Sequence, residues 1–258
     1  MTGVKVVTLN TWKGDGEYHR RLGLMAEGLS RLSPELVLLQ EVFASGDGVL
    51  NTGRFLAESL GMVLNYHPAR RKLRRVSGVS MESASGLAIL SRDRPLQRGA
   101  LLLPADPRDG DRWAQWVRLG IGGSSVVVVN THLTHLDDRD DLRRRQLEQI
   151  VSFAAGCSED EGVLLGGDFN CTPGSPPLRW LDEQDVCPAH GAWREVTGSA
   201  CPGTLNTGSR NDCIDHLYRL GSSRRVASSL KAGIAMDRPD ESGLFASDHV
   251  AVFGELLI

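Results

Sequence analysis

Six separate stretches of this chain bring an oxygen- or nitrogen-bearing side chain to the end of a short apolar run. Residues 4–9 lead to Asn10, 36–39 to Gln40 and Glu41, and 126–129 to Asn130, Thr131 and His132. Residues 163–165 lead to Gly166-Gly167-Asp168-Phe169-Asn170, Asp215 and His216 interrupt the run 214–220, and Ser247-Asp248-His249 opens the last run. The donors in this set are carboxylates, amides and imidazoles without a thiolate, which suits a hard divalent ion such as Mg²⁺ or Mn²⁺ better than zinc. Such a set can work on a phosphate ester. That ester is an anion that repels hydroxide, so cleavage needs positive charge on the nonbridging oxygens, a base for the water, and help for the leaving oxygen. Glu41 can hold the ion, an aspartate can take the water proton, and a histidine steadied by a partner such as Asp215 can contact the phosphate. Taken singly, Asn10 or Asn170 reads as a turn residue bonding its own backbone, and Glu41 as a solvated loop residue. Six together at the rim of a buried sheet read as a site.

The runs that must position these residues are short and rich in Val, Ile and Leu, as buried strands are. Helical spacing appears between them. Leu22, Met25, Leu29 and Leu32 repeat on one face until Ser33-Pro34, and Leu142, Leu147, Ile150, Val151 and Ala154 do so until Gly156. The second helix opens on Asp137, Asp138, Asp140 and Asp141 and continues with Arg143, Arg144 and Arg145, the order the helix dipole favours. Strands alternate with helices early and dominate with loops later, so two sheets packed face to face with helices outside are expected. No long linker, repeat or low-complexity tract divides the chain, so one domain over residues 1–258 is the simplest reading.

The chain has 258 residues, 41% of them hydrophobic and 24% charged, which excludes a disordered, collagenous or coiled-coil protein. No apolar run approaches the ~18 residues of a membrane span, and the N-terminus lacks a signal-peptide layout. A cytoplasmic protein without stable membrane insertion is the expectation, and no obligatory protein partner is evident. Five cysteines without a C-x-x-C pair read as reduced, with a Cys187–Cys201 bridge as the alternative for an exported protein. The net charge of −3 lacks the strongly basic footprint of sequence-reading nucleic-acid binders. It leaves a nuclease open, because a metal ion can supply positive charge where the phosphate sits. Arg70, Arg71, Lys72, Arg74 and Arg75 put five basic residues into six positions, either to grip phosphates flanking the scissile one or as a solvated loop. Trp113 and Trp116 could stack on a base, although strand packing is the plainer reading. No G-x-S-x-G elbow, phosphate-binding G-x-x-x-x-G-K-[ST] loop or H-E-x-x-H helix is present, so a serine hydrolase, an NTPase and a zinc protease have no support.

In order along the chain, Leu9-Asn10-Thr11-Trp12, Gln40-Glu41, Gly86-Leu87-Ala88-Ile89-Leu90-Ser91, Asn130-Thr131-His132-Leu133, Gly167-Asp168-Phe169-Asn170, Ile214-Asp215-His216 and Ser247-Asp248-His249 resemble the motifs of the endonuclease/exonuclease/phosphatase superfamily. The resemblance implies a four-layered α/β/β/α sandwich of two mixed β-sheets flanked by helices, and a phosphoesterase that uses Mg²⁺ or Mn²⁺. It makes Glu41 the main metal ligand, with Asn10 and Asp248 near the metal. Asp168 then orients or deprotonates the attacking water, Asn170 holds a phosphate oxygen, and His132 contacts the phosphate or the leaving group. His249 meets the phosphate and is oriented by Asp215. The inositol phosphatases of this superfamily carry a Trp-Cys-Asp-Arg stretch where this chain has Asn211-Asp212-Cys213-Ile214-Asp215-His216, which disfavours that branch. The first and fourth motifs are similar to neutral sphingomyelinases, but the chain has no aromatic-rich hairpin suited to a lipid surface. A phosphodiesterase or nuclease is therefore the leading expectation, with nucleic acid among the candidate substrates. A phosphomonoesterase of small metabolites or sugar phosphates, a sphingomyelinase-like lipid diesterase, and a non-catalytic phosphate-binding module are the alternatives.

Overall fold

Chain segments that alternate apolar residues on two faces can be buried from both sides, and this governs how the strands assemble. In a computed structural model describing residues 3–157, 161–184, 186–188, 203–206, 212–220 and 227–257, twelve strands and four helices follow one another. They are β1 (Gly3–Asn10), α1 (Tyr18–Leu32), β2 (Leu36–Ser45), α2 (Thr52–Leu60), β3 (Val63–Val76), β4 (Val79–Ser91), β5 (Gln97–Leu103) and β6 (Arg112–Ile121). The order continues with β7 (Ser124–His132), α3 (Asp140–Ala155), β8 (Gly162–Asp168), α4 (Pro176–Asp182), β9 (Val186–Pro188), β10 (Asp215–Leu220), β11 (Ala227–Ala235) and β12 (Ala251–Leu257). One sheet has the order β11-β12-β1-β2-β4-β3 and the other β5-β6-β7-β8-β10-β9. Both are mixed: β1 and β2 are parallel, as are β7 and β8, while β12 runs against β1 and β10 against β8. A parallel pair needs a crossover, which α1 and α3 supply.

The period-2 alternation sorts the side chains into layers. Val6, Leu36, Leu38 and Ile89 meet Val117, Val126, Val128 and Leu164 between the sheets. Their neighbours Val7, Leu9, Val37 and Leu39 turn outward and pack under Leu22, Met25 and Leu29 of α1 and Leu56 of α2. On the other side Val127, Val129 and Leu165 pack under Leu147 and Ile150 of α3 and Leu178 and Leu181 of α4. The result is the expected α/β/β/α sandwich. Each fully buried Val, Leu or Ile contributes roughly 1.5–3 kcal/mol. A polar tie crosses the apolar seam: Asn130 on β7 donates from Nδ2 to the carbonyls of Leu39 (2.9 Å) and Ala88 (3.0 Å), and Gln40 Nε2 donates to Asn130 Oδ1 at 2.7 Å. Asn130 therefore joins the sheets directly beneath the strand ends.

Two expectations need amendment. Cys213 is disulfide-bonded, whereas the leading expectation is reduced cysteines; Cys157 and Cys171 are free, and Cys201 of the alternative Cys187–Cys201 pairing lies outside the described residues. Such a bond is the kind oxidising compartments maintain, and neighbouring sequence spacing carries no sign of it. The basic stretch 70–75 is strand rather than loop, forming part of the edge strand β3 with regular antiparallel pairing to β4. Among the described residues no helix is long and apolar enough to cross a membrane.

Candidate active site

Strand direction gathers the candidate residues. The parallel strands β1 and β2 and the parallel strands β7 and β8 deliver Asn10, Glu41, His132 and Asp168 as they leave or bend at one rim. The antiparallel β10 and β12 enter at that same rim, so Asp215 pairs with Asp168 in register and Asp248 and His249 stand just before β12. A pocket of about 500 Å³ results, lined by Asn10, Glu41, His132, Asp168, Asn170, Asp248 and His249. Asp215 does not line it but sits behind His249, whose Nδ1 is 2.8 Å from Asp215 Oδ2.

Local backbone irregularity aims several of these side chains. The β2–β4 pairing shifts register between Leu39 and Val42, a bulge that holds Glu41 at φ 53°. Trp12, Lys13 and Asn170 are also left-handed, at φ 53°, 47° and 50°. Four left-handed residues other than glycine on one pocket wall mark a place where the surrounding structure enforces sparsely populated conformations. Arg21 supplies much of that enforcement. It is fully buried on α1 and donates to the carbonyls of Thr11, Trp12, Lys13, Asp15 and Ala246, while its guanidinium stacks over Trp12 at 4.8 Å. Thr204 plays a similar part for Asp215, its hydroxyl accepting from the backbone N–H groups of Ile214 (3.0 Å) and Asp215 (3.2 Å). Neither Arg21 nor Thr204 stands out in the sequence.

Asp168 is the hub of the pocket. Asn10 Nδ2 donates to its Oδ2 at 3.0 Å, the Asn170 backbone N–H donates to Oδ1 at 2.9 Å, His132 Nε2 lies 3.4 Å from Oδ2, and His249 Nε2 lies 3.9 Å from Oδ2. Burial, followed by the charge of Asp215, pushes the Asp168 carboxyl up to about 7 against the opposing pull of His249 and Asn10. For His249, burial alone would lower the pKa. It is outweighed by the charge and hydrogen bond of Asp215 and by Asp168 and Asp248, which carry the imidazole up to about 10. His132 moves the other way: burial first, then the charges of Arg112 and His249, hold it well below the ordinary value, so its ring is neutral. Two histidines beside one carboxylate thus carry different charges.

The donors present fit a hard divalent cation. Asp248 is raised by burial, offset by His249, and raised again by the charge of Glu41, so two carboxylates face a shared deficit of positive charge. Lys13 Nζ meets that deficit in part, 2.8 Å from Glu41 Oε1. Ligand atoms of Asp168, Asp215 and His249 also lie within 4.8 Å of one another. In that group Asp215 Oδ2 and His249 Nδ1 already satisfy each other, which is the arrangement of a proton-handling pair. Glu41 and Asp248 are carboxylates that could hold a metal, together with Asn10, whose Oδ1 also accepts from the Trp12 backbone N–H at 3.0 Å.

Much of the remaining wall is cationic, with Asp111 as an acid among the cations. Arg70 and Arg74 line the pocket together with Lys72, Lys13, Arg108 and Arg112. Arg71 and Arg75, on the alternate face of β3, do not, and Arg75 Nε bonds the Gly78 carbonyl at the hairpin turn. Trp113 lines the pocket beside His67, whereas Trp116 packs against Phe153 with ring centroids 5.4 Å apart. Lys13, Arg112 and His135 carry no signal in the sequence, whereas Lys72 belongs to the basic stretch 70–75 that the sequence displays.

A two-sheet sandwich with a carboxylate–histidine–amide pocket at the rim defines a class of proteins built for phosphate-ester chemistry. The chain belongs to the Endonuclease/Exonuclease/phosphatase family, whose profile matches residues 7–251. It is 35% identical over 80 residues to "Protein angel" of Drosophila melanogaster, a match covering 31% of this chain and 20% of that protein. It is 31% identical over 68 residues to "Carbon catabolite repressor protein 4 homolog 6" of Arabidopsis thaliana, covering 25% and 9%. These matches span no more than a fifth of either relative. Among solved structures it is similar to D. rerio TDP2 complexed with a single-strand DNA product, with a TM-score of 0.77, 14% identity and complete coverage of both chains.

Proposed function

We propose that this chain, acting as one domain over residues 1–258, is a divalent-metal-dependent phosphodiesterase that cleaves a P–O bond of nucleic acid by direct attack of water. The observation that carries the reading is the buried carboxylate of Asp168, which accepts from Asn10 Nδ2 at 3.0 Å and has His132 and His249 3.4 and 3.9 Å from its Oδ2, in the pocket that Glu41 also lines; burial raises this carboxyl toward neutrality. A base poised near neutrality matches proton abstraction from water at ordinary pH. Asn10 fixes Asp168 Oδ2, leaving that oxygen to orient the water and take its proton. His249, locked by Asp215 through Nδ1, presents Nε2 as a cationic donor to a nonbridging oxygen. His132, neutral and 3.4 Å from Asp168, would assist the leaving oxygen. Asn170 donates from Nδ2 to the Leu133 carbonyl (3.1 Å), which fixes its amide at the pocket edge for a phosphate oxygen. Mg²⁺ or Mn²⁺ held by Glu41, Asp248 and Asn10 would supply positive charge to the phosphate. A nucleic-acid substrate agrees with the single-strand DNA product bound to D. rerio TDP2 and with the cationic wall.

The test is hydrolysis of bis-p-nitrophenyl phosphate and of mono-p-nitrophenyl phosphate by purified protein with Mg²⁺ or Mn²⁺. The diester is expected to be the better substrate, EDTA to abolish turnover, and Asp168→Asn or His249→Ala to cut kcat by at least ~100-fold. Full activity in either variant would remove the site from consideration. A faster monoester would favour a phosphomonoesterase.

A further inference from the structure

Part of the pocket wall is built on a carboxylate that never reaches solvent. Asp109, fully buried before β6, accepts from Arg112 at two points, Nε to Oδ2 at 2.8 Å and Nη2 to Oδ1 at 2.6 Å. Arg70 Nη1 donates to the same Oδ1 at 3.3 Å, and His135 Nδ1 lies 2.8 Å from it. A bidentate bond to carboxylate fixes the plane of a guanidinium. Arg112 is nearly buried, and its Nη1 donates to the His132 carbonyl at 3.4 Å, tying this cluster to the reacting centre.

The charges do not balance. Arg70 and Arg112 share one carboxylate, which leaves a net positive charge, and two more cations follow on β3. Arg74 spends its guanidinium on the hydroxyls of Ser83 and Ser85, both at 2.9 Å, and neither Arg74 nor Lys72 has a carboxylate partner among the described residues. The ammonium of Lys72 is pulled down chiefly by the charge of Arg70, with Asp109 opposing in part. A purely structural ion pair would need only one of these arginines. Arg70, Lys72 and Arg74 occupy alternate positions of a regular strand, so they recur every ~7 Å along the wall. A row of that kind matches a linear polyanion.

We propose that Arg112 and Arg70, braced by Asp109, form a second phosphate subsite that takes the phosphate next to the scissile one in a single nucleic-acid strand, with Lys72 and Arg74 continuing its track. Asp109 is a positioning residue: it touches no substrate and holds two guanidinium groups in their binding orientation, so little side-chain freedom is lost when phosphate arrives. The inference rests on the phosphodiesterase reading for its substrate, but the binding arm of its test, made in EDTA, does not depend on turnover.

The probes are the dinucleotide dTpdT and the same dinucleotide bearing an added 5′- or 3′-phosphate, with binding measured in EDTA. In the wild type, one of the added phosphates is expected to tighten binding roughly tenfold. Arg70→Ala, at a partly exposed residue, and Arg112→Lys, which keeps charge but loses the fork, should each shrink that gain to about twofold or less, with thermal unfolding checked to show that each variant is folded. Asp109→Asn should raise KM for the phosphate-bearing dinucleotide several-fold more than KM for bis-p-nitrophenyl phosphate, with kcat affected less than KM. No gain from either phosphate in the wild type, or an undiminished gain in both arginine variants, overturns the subsite. A sugar bisphosphate that displaces the probe as well as the phosphorylated dinucleotide does overturns the assignment to nucleic acid. Absence of hydrolysis alongside a gain that the variants abolish would overturn the catalytic reading and support the subsite.

Discussion

At the scale of single residues, the site works by giving like groups unlike environments. His132 and His249 both approach Asp168, yet one is neutral because burial and Arg112 disfavour its proton, and the other is charged because Asp215 compensates burial. The carboxylates divide in the same manner: Asp168 is enclosed and raised to about 7, whereas Glu41 faces Lys13 across 2.8 Å. Under the proposed function, Asp168 would do the proton work and Glu41 would hold the cation. Glu41→Gln keeps the shape and removes the charge, so the Mg²⁺ or Mn²⁺ affinity of the protein should fall by at least ~10-fold. Isothermal titration of the metal into both proteins measures this, and equal affinities would show that the ion is held elsewhere.

At the scale of elements, the rim depends on close backbone approach behind the side chains. Gly167 immediately precedes Asp168 on β8 at φ +145°, and a Cβ there would stand 1.9 Å from the Thr131 carbonyl oxygen of β7. No side chain rotation can relieve a clash with the neighbouring strand's backbone. Gly167→Ala is therefore expected to destabilise the protein by about 2–4 kcal/mol, at the upper end for single substitutions. Urea unfolding gives the value, and a loss below 0.5 kcal/mol would contradict the contact. The edge position of β3 is the other consequential placement. An edge strand crowded with Arg and Lys resists pairing with another sheet, and here alternate cations turn into the pocket while Arg71 and Arg75 lie on the other face.

At the scale of the whole molecule, a chain of net charge −3 concentrates cations at one mouth. Binding of a single-stranded oligonucleotide should therefore weaken with salt, with a slope of log K against log salt of about −3 for four phosphate contacts. Fluorescence anisotropy across a salt series reads it, and a slope near zero would mean that the cationic wall is not used. Stability should also depend on pH through buried histidine. His216 is lowered by burial, its Nε2 bonded to the Cys171 carbonyl at 2.9 Å. Because its folded value lies below the unfolded value of about 6.5, the unfolded chain takes up the proton first, and stability contributed by the neutral ring falls as pH drops below about 6.5. His216→Asn should lose less stability than the wild type between pH 7 and pH 5.5, the difference not exceeding about 1.4 kcal/mol per pH unit. Identical losses in the two proteins would show that His216 does not titrate on unfolding.

The sequence by itself determined the runs that become β1, β2, β7, β8, β10 and β12, and the two longest helices, because their apolar periodicity is a local property. It also determined which chemistry stands at the strand ends: Asn10, Glu41, His132, Asp168, Asn170 and His249 are polar where the runs stop. It carried no equally clear signal for β3, β5 or β6, whose residues alternate less cleanly because edge and cationic positions interrupt the pattern. The family resemblance already pairs Asp215 with His249, but only the tertiary structure decided that Arg21 stitches the loop at residues 11–15 and that Asp109 gathers Arg70, Arg112 and His135. Those facts depend on contacts between segments far apart in the chain. Periodicity fixes which face of an element is buried, whereas the partner across that face, and with it each charge state, is set by packing.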